Sequence, residues 1–139
     1  MYEKAKMFLT SYEKSIYEIQ TLNETIVSIR ERATRNSASL NPDKVQTSRC
    51  NDMIGDAAAS IADNEIVLAH AIVQSTAILK QLIKVIMQIP DVQLQCLLMY
   101  RYVCLKKWKQ ITECMGYAER NILYLHDQAL QEVEKILQA

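Results

Sequence analysis

The chain has 139 residues, half of them hydrophobic, and its 16 basic and 16 acidic side chains cancel to a formal net charge of zero. Neutrality argues against a general polyanion binder, and the length allows about one domain, or a small domain carried on an extended coiled coil. With only two glycines and two prolines the chain has few places to turn, so long helices in an all-α fold are the economical architecture.

The N-terminal MYEKAKMF is charged and lacks the apolar core of a signal peptide. No apolar run approaches the ~20 residues of a membrane span, so a cytoplasmic protein without a membrane partner is expected. Cys50, Cys96, Cys104 and Cys114 form no CxxC pair, and each falls among apolar helical residues. That pattern predicts reduced, buried thiols, with no ligand spacing for zinc.

The first helix is marked by Leu9, Tyr12, Ile16, Ile19, Leu22, Ile26, Ile29 and Ala33, whose steps of three and four keep one face apolar. A helix from about Glu3 to Ala33 is roughly 45 Å long. From Thr34 to Lys44 the periodicity lapses, and Pro42, with Asn41 before it, breaks the helix.

A second stripe runs through Cys50, Ile54, Ala57, Ile61, Asn64, Leu68, Ile72, Ser75, Leu79, Leu82, Ile86 and Ile89, until Pro90 ends it. Gly55 costs that helix ~1 kcal/mol relative to Ala without breaking it. Ala57, Ala58 and Ala59 allow a close approach by another helix. Two stripes joined by a short connection cover each other by folding back, so residues 1–89 are expected to form a long antiparallel, coiled-coil-like helical hairpin. Asn64 and Ser75 interrupt the seam, where polar residues can set register. In this reading the first helix faces roughly the first two thirds of the second. Beyond Ser75 the second helix is apolar on most sides, through Ile78, Leu79, Leu82, Ile83, Val85 and Ile86. Such a surface needs cover from the C-terminal helices and from a second copy, which makes a homodimer through the hairpin the expected assembly.

Residues 90–139 then read as a three-helix domain. Asp91 is a plausible N-cap, and Leu94, Leu97, Leu98 and Tyr102 face inward. Leu105 to Lys107 connects to a short helix carrying Trp108, Ile111 and Met115, Gly116 makes a turn, and a last helix runs from about Ala118 to Leu137. The inward set Ile111, Met115, Tyr117, Ile122 and Leu125 fits a helix-turn-helix, whose second helix enters the DNA major groove. Ala129, Val133 and Ile136 continue the buried face. The outward face near the start of the last helix carries Glu119, Arg120, Asn121, Leu123, Tyr124 and Asp127. Arg120 can pair with guanine or phosphate, Asn121 with adenine, and Tyr124 with a phosphate or a thymine methyl. From Cys96 to His126, Arg101, Lys106, Lys107, Lys109 and Arg120 stand against only Glu113 and Glu119. This local basic patch is what phosphate contacts require.

No carboxylate pair, Ser-His arrangement, glycine-rich phosphate loop or metal-ligand spacing is present, so neither an enzyme nor a cofactor is expected. His70 lies off the stripe toward solvent, and His126 packs or caps on the last helix. Tyr2, Tyr12 and Tyr17 read as packing residues.

The stretch LLMYRYVCLKKWKQITECMGYAERNILYLHDQAL resembles the C-terminal half of a phage-associated family that ends in a helix-turn-helix similar to region 4 of bacterial sigma factors. In pattern it is related to the ArpU and RinA type of phage late-gene regulators. The resemblance rests on Leu97 and Leu98, Arg101 and Tyr102, Trp108, Ile111, Met115 to Tyr117, Glu119 and Arg120, Leu125 and His126, and Ala129 and Leu130. Thr112 stands where a small Ala is usual, and Ala118 replaces the Ser that would cap the recognition helix. The resemblance implies a transcriptional regulator of a bacterium or its prophage, bound to double-stranded DNA. Lys106, Lys107, Lys109 and Arg120 would then lie on phosphates, with Arg120, Asn121 and Tyr124 nearest the bases and Glu119 beside them. The alternative is an adaptor that keeps the fold but docks on RNA polymerase or another phage protein.

Overall fold

The computed structural model describes the backbone of residues 1–39 and 47–139, and the side chains of 1–35 and 54–139. Among these residues the fold is all-helical, with no strand. It comprises α1 (Glu3–Ser39), α2 (Thr47–Ile86), α3 (Val92–Leu98), a π-helical turn (Met99–Val103), α4 (Trp108–Met115) and α5 (Glu119–Gln138). The break expected at Pro42 and the side chain of Cys50 lie outside the described residues.

α1 does not end at Ala33 but continues through Ser39. Loss of the apolar stripe does not end a helix, because backbone bonds need no apolar face. Thr34 sustains its own turn by donating its hydroxyl to the Arg30 carbonyl at 2.9 Å.

The chain divides into two compact units, one of residues 1–16 with 74–139 and the other of residues 17–73. The first therefore unites the two ends of the chain across the boundary that Pro90 marks in sequence. Its core gathers Ala5 and Leu9 of α1, Leu82, Ile86 and Ile89 at the end of α2, Leu94, Leu97, Leu98 and Tyr102, Ile111 of α4, and Ile122, Leu125, Ala129, Leu130 and Val133 of α5. Leu9, Leu82, Ile86, Leu97, Ile111, Ile122 and Val133 are fully buried. At about 1.5–3 kcal/mol for each large apolar side chain taken from water, these residues dominate the stability of the unit.

The end of α2 is thus covered by the start of α1, and does not outrun it as the expected two-thirds overlap requires. Ser15 and Ser75, both buried, share a hydrogen bond of 2.8 Å between their hydroxyls. The Ala5 amide, an orphan donor in the first turn of α1, donates to the Glu134 carboxylate of α5 at 2.8 Å. Gln131 of α5 donates to the Tyr2 hydroxyl at 2.7 Å.

In the second unit Ile26 of α1 and Ala71 of α2 are buried, and Arg30 pairs with Glu65 at 2.6 Å. The inward position after Leu68 is Ala71, 6% exposed, and not Ile72, 47% exposed. Three- and four-residue steps must alternate to hold one face, so the smaller side chain wins the inward place.

One further expectation is corrected. Cys96, Cys104 and Cys114 are free but exposed, since each sits on the side of its segment away from the buried leucines and isoleucines. The part of α2 from Ile54 to Ile86 is, by length and composition alone, long and apolar enough to cross a membrane, with a window of mean hydropathy 1.5. No single run predicts this, because Asp63, Glu65, His70 and Lys80 interrupt the sequence while apolar residues occupy more than one face of the helix.

Candidate nucleic-acid interface

α3 begins as its sequence implies, with the Asp91 carboxylate accepting from the Gln93 amide at 2.9 Å. Gln95 reaches back and donates to the carbonyls of Met87 and Ile89 at 3.2 and 2.5 Å, closing the end of α2. The chain then widens into the π turn, where the Cys104 amide donates to the Met99 carbonyl at 2.8 Å. Leu105 takes a left-handed φ of 58°, unusual for a side chain other than Gly, and redirects the chain into α4.

These bends place Arg101 and Lys106 differently from their place in the sequence run. The Arg101 guanidinium lies 4.7 Å over the ring of Trp108 and donates to the Lys106 carbonyl at 3.0 Å. Lys106 rests its ammonium 5.5 Å over Tyr100 and 3.8 Å from the Cys114 sulfur. Both cations therefore help to hold the connection before α4. Lys107 and Lys109 are exposed at the start of α4. That helix opens with the Gln110 side chain accepting from the Lys107 amide at 3.0 Å.

Trp108 stands edge-on to His126 with ring centroids 4.8 Å apart, and His126 Nε2 shares a 2.7 Å hydrogen bond with the Tyr102 hydroxyl. Burial, reinforced by the Arg101 charge, lowers the His126 pKa to about 4. Burial likewise raises that of Tyr102. The ring cluster joins the π turn, α4 and α5 without a charged member at neutral pH other than Arg101.

α4 ends at Gly116, whose φ of 73° is the left-handed geometry that Gly adopts without strain. Tyr117 follows, its hydroxyl accepting from Gln93 at 2.6 Å, so the connection is fastened to α3. Ala118 has the extended backbone of an N-cap but no side chain to accept from the first turn of α5. The amides of that turn are left to solvent or to an anion, where the positive end of the helix dipole favours negative charge.

On α5, Ile122, Leu125, Ala129 and Val133 are buried as expected, and Leu130 joins them. Glu119, Arg120 and Asn121 are exposed in the first turn, and none makes a hydrogen bond or ion pair through its side chain within the described residues. Tyr124 lies one turn on, four residues after Arg120 and so on the same face. It is 60% exposed, beside Leu123 at 49%, and its hydroxyl accepts from Gln128 at 3.1 Å. Gln128, which orients Tyr124, is the residue the sequence reading passes over; the i to i+4 spacing is its only signal. The sequence-derived residues thus fall on two helix starts, Lys107 and Lys109 at α4 and Glu119, Arg120, Asn121 and Tyr124 on α5, with Lys106 half-buried against Tyr100 and Cys114.

Compared with protein-family models, with curated proteins and with solved structures, the chain matches none.

Proposed function

We propose that the chain is a DNA-binding transcriptional regulator of the phage or prophage type, acting in the bacterial cytoplasm, in which α4 and α5 form a helix-turn-helix like that of sigma region 4. One observation carries this reading: a left-handed Gly116 joins two helices whose inward residues, Ile111, Ile122 and Leu125, are buried. The outer start of the second helix, Arg120, Asn121 and Tyr124, is meanwhile open. That is the polarity a recognition helix needs, with side chains at its N-terminal end meeting base edges. Lys107, Lys109 and the uncapped amides of α5 supply phosphate contacts, and the base-reading side chains are Arg120, Asn121 and Tyr124.

α1 and α2 serve in this reading as an antiparallel hairpin that carries the head and self-associates. Two contacts support the hairpin. The partner of Ser15 is Ser75, and that of Arg30, further along α1, is Glu65, nearer the start of α2.

Charge reversal at Lys107 and Lys109 together is expected to weaken binding to all duplexes alike and to lower the salt slope by about 2. Alanine at Arg120 or Asn121 instead relaxes preference among sequences, by about 1–3 kcal/mol at the position read. Equilibrium binding to random and selected duplexes over a salt series checks both. A double reversal that binds unchanged across the series rejects the assignment.

A second reading, an adaptor docking on RNA polymerase, is favoured by the exposed Leu123 and Tyr124 beside the acidic Glu119. It predicts no enriched site in a selection from random duplex DNA, together with binding to polymerase that is lost on substituting Leu123 with Ala.

A further inference from the structure

We infer that two copies of this chain pair antiparallel through the outer face of α2, around Ala62, Ile66, Ala69 and Val73. The inference rests on the self-association proposed above and not on the DNA reading. α2 carries two apolar stripes. One contains Ala57, Ile61, Asn64, Leu68 and Ala71, all partly or fully buried. The other, Ala59, Ala62, Ile66, Ala69 and Val73, keeps the same alternation of three and four residues on the opposite side and is exposed throughout, with Ile66 at 60% and Val73 at 68%. A polar outer face would suffice for a helix with a single partner; a second heptad seam calls for a second helix.

The order of side-chain sizes selects the partner and its direction. In an antiparallel two-fold pairing, Ile66 meets the partner's Ala69, and Val73 meets the partner's Ala62. Each large side chain then faces a small one, and every contact occurs twice. A parallel pairing would set Ile66 on the partner's Ile66 and Ala62 on the partner's Ala62, alternating crowded and empty layers. The flanks agree. Asp63 and His70, both exposed, each follow an alanine of the seam by one position. The antiparallel register brings Asp63 beside the partner's His70 twice, without opposing like charges. The acidic neighbours Asp56 and Asp63 are the wrong sign for nucleic acid or an anionic membrane surface.

Sedimentation equilibrium of the full chain tests this, with circular dichroism to show that each variant keeps its helicity. The wild type should be a dimer. Ala69→Glu, at an exposed position of the folded chain, should raise the dissociation constant about a hundredfold by forcing an unpaired charge against the partner's Ile66. His70→Asp should weaken the dimer about tenfold, and Asp63→Lys with His70→Asp should restore it. A monomeric wild type, or a dimer indifferent to Ala69→Glu, overturns the proposal, the latter by moving the interface elsewhere. Failure of the double exchange to rescue overturns the antiparallel register. Flotation of the wild type with phosphatidylcholine–phosphatidylglycerol vesicles, abolished by Ala69→Glu, would assign the face to a membrane. Duplex binding measured on the same proteins is read separately from their mass.

Discussion

Within the cluster of Tyr102, Trp108 and His126, burial is the main reason the imidazole stays neutral, and the Arg101 charge adds to it. An unfolded chain takes up that proton near pH 6.5 and the folded chain only near 4. Between those values the unfolded state binds more protons, so the contribution is complete above 6.5 and lost as pH falls toward 4. Allowing for the ring's partial exposure, it amounts to about 2 kcal/mol. His126→Gln should flatten this part of the stability profile; urea titrations of both proteins from pH 7 to about 4 measure it, and equal slopes would reject the account. Ala118 offers a second test at this scale. Its extended backbone already suits a cap, so Ala118→Ser should raise stability by about 0.5–1 kcal/mol, read as a higher melting temperature. The cap's absence was legible in the sequence. The fate of Arg101 was not, because the π turn and the left-handed Leu105 that lay its guanidinium on Trp108 leave no periodic signal.

Among the elements, the Ser15–Ser75 hydrogen bond sits where an apolar seam would otherwise be continuous. Ser15 also donates to the Tyr12 carbonyl at 2.6 Å. Ser75→Ala should therefore cost about 1 kcal/mol, and Ser15→Ala/Ser75→Ala less than the two single changes together. Additive losses in a double-mutant cycle would mean the hydroxyls do not communicate. The seam residue Ser75 was visible as an interruption of the stripe, but its partner was not, since periodicity reports which side of a helix is covered and not by what. The same limit explains Ile72. Hydrophobicity marks it for the inside, and geometry gives that place to Ala71. Both long helices, the Asp91 cap and the Gly116 turn were legible because each depends on local chemistry. The end of α1 and the exposure of three cysteines depend on neighbours distant in sequence.

At the scale of the molecule, proline and composition mark where the chain turns, whereas compact units are defined by what packs together. That is why residues 1–16 belong with 74–139 although Pro90 punctuates the sequence. The candidate site was readable in sequence as residue types on a helix face. Its division between two helix starts was readable as well, but the contacts of Lys106 with Tyr100 and Cys114 required the fold.

The fastening of Ala5 to Glu134 and of Tyr2 to Gln131, each across 129 positions, has a consequence for biogenesis. The start of α1 is made well before α5, and it meets its partners there only after residue 134 has been made. Until then the core lacks Ile122, Leu125, Ala129, Leu130 and Val133, and the apolar side chains they pack against stay open to solvent and to other nascent chains. Closing so long a loop is slow relative to forming the helices themselves. The core of this unit joins residues made far apart in time, so a copy interrupted before α5 can form its long helices but lacks a finished core.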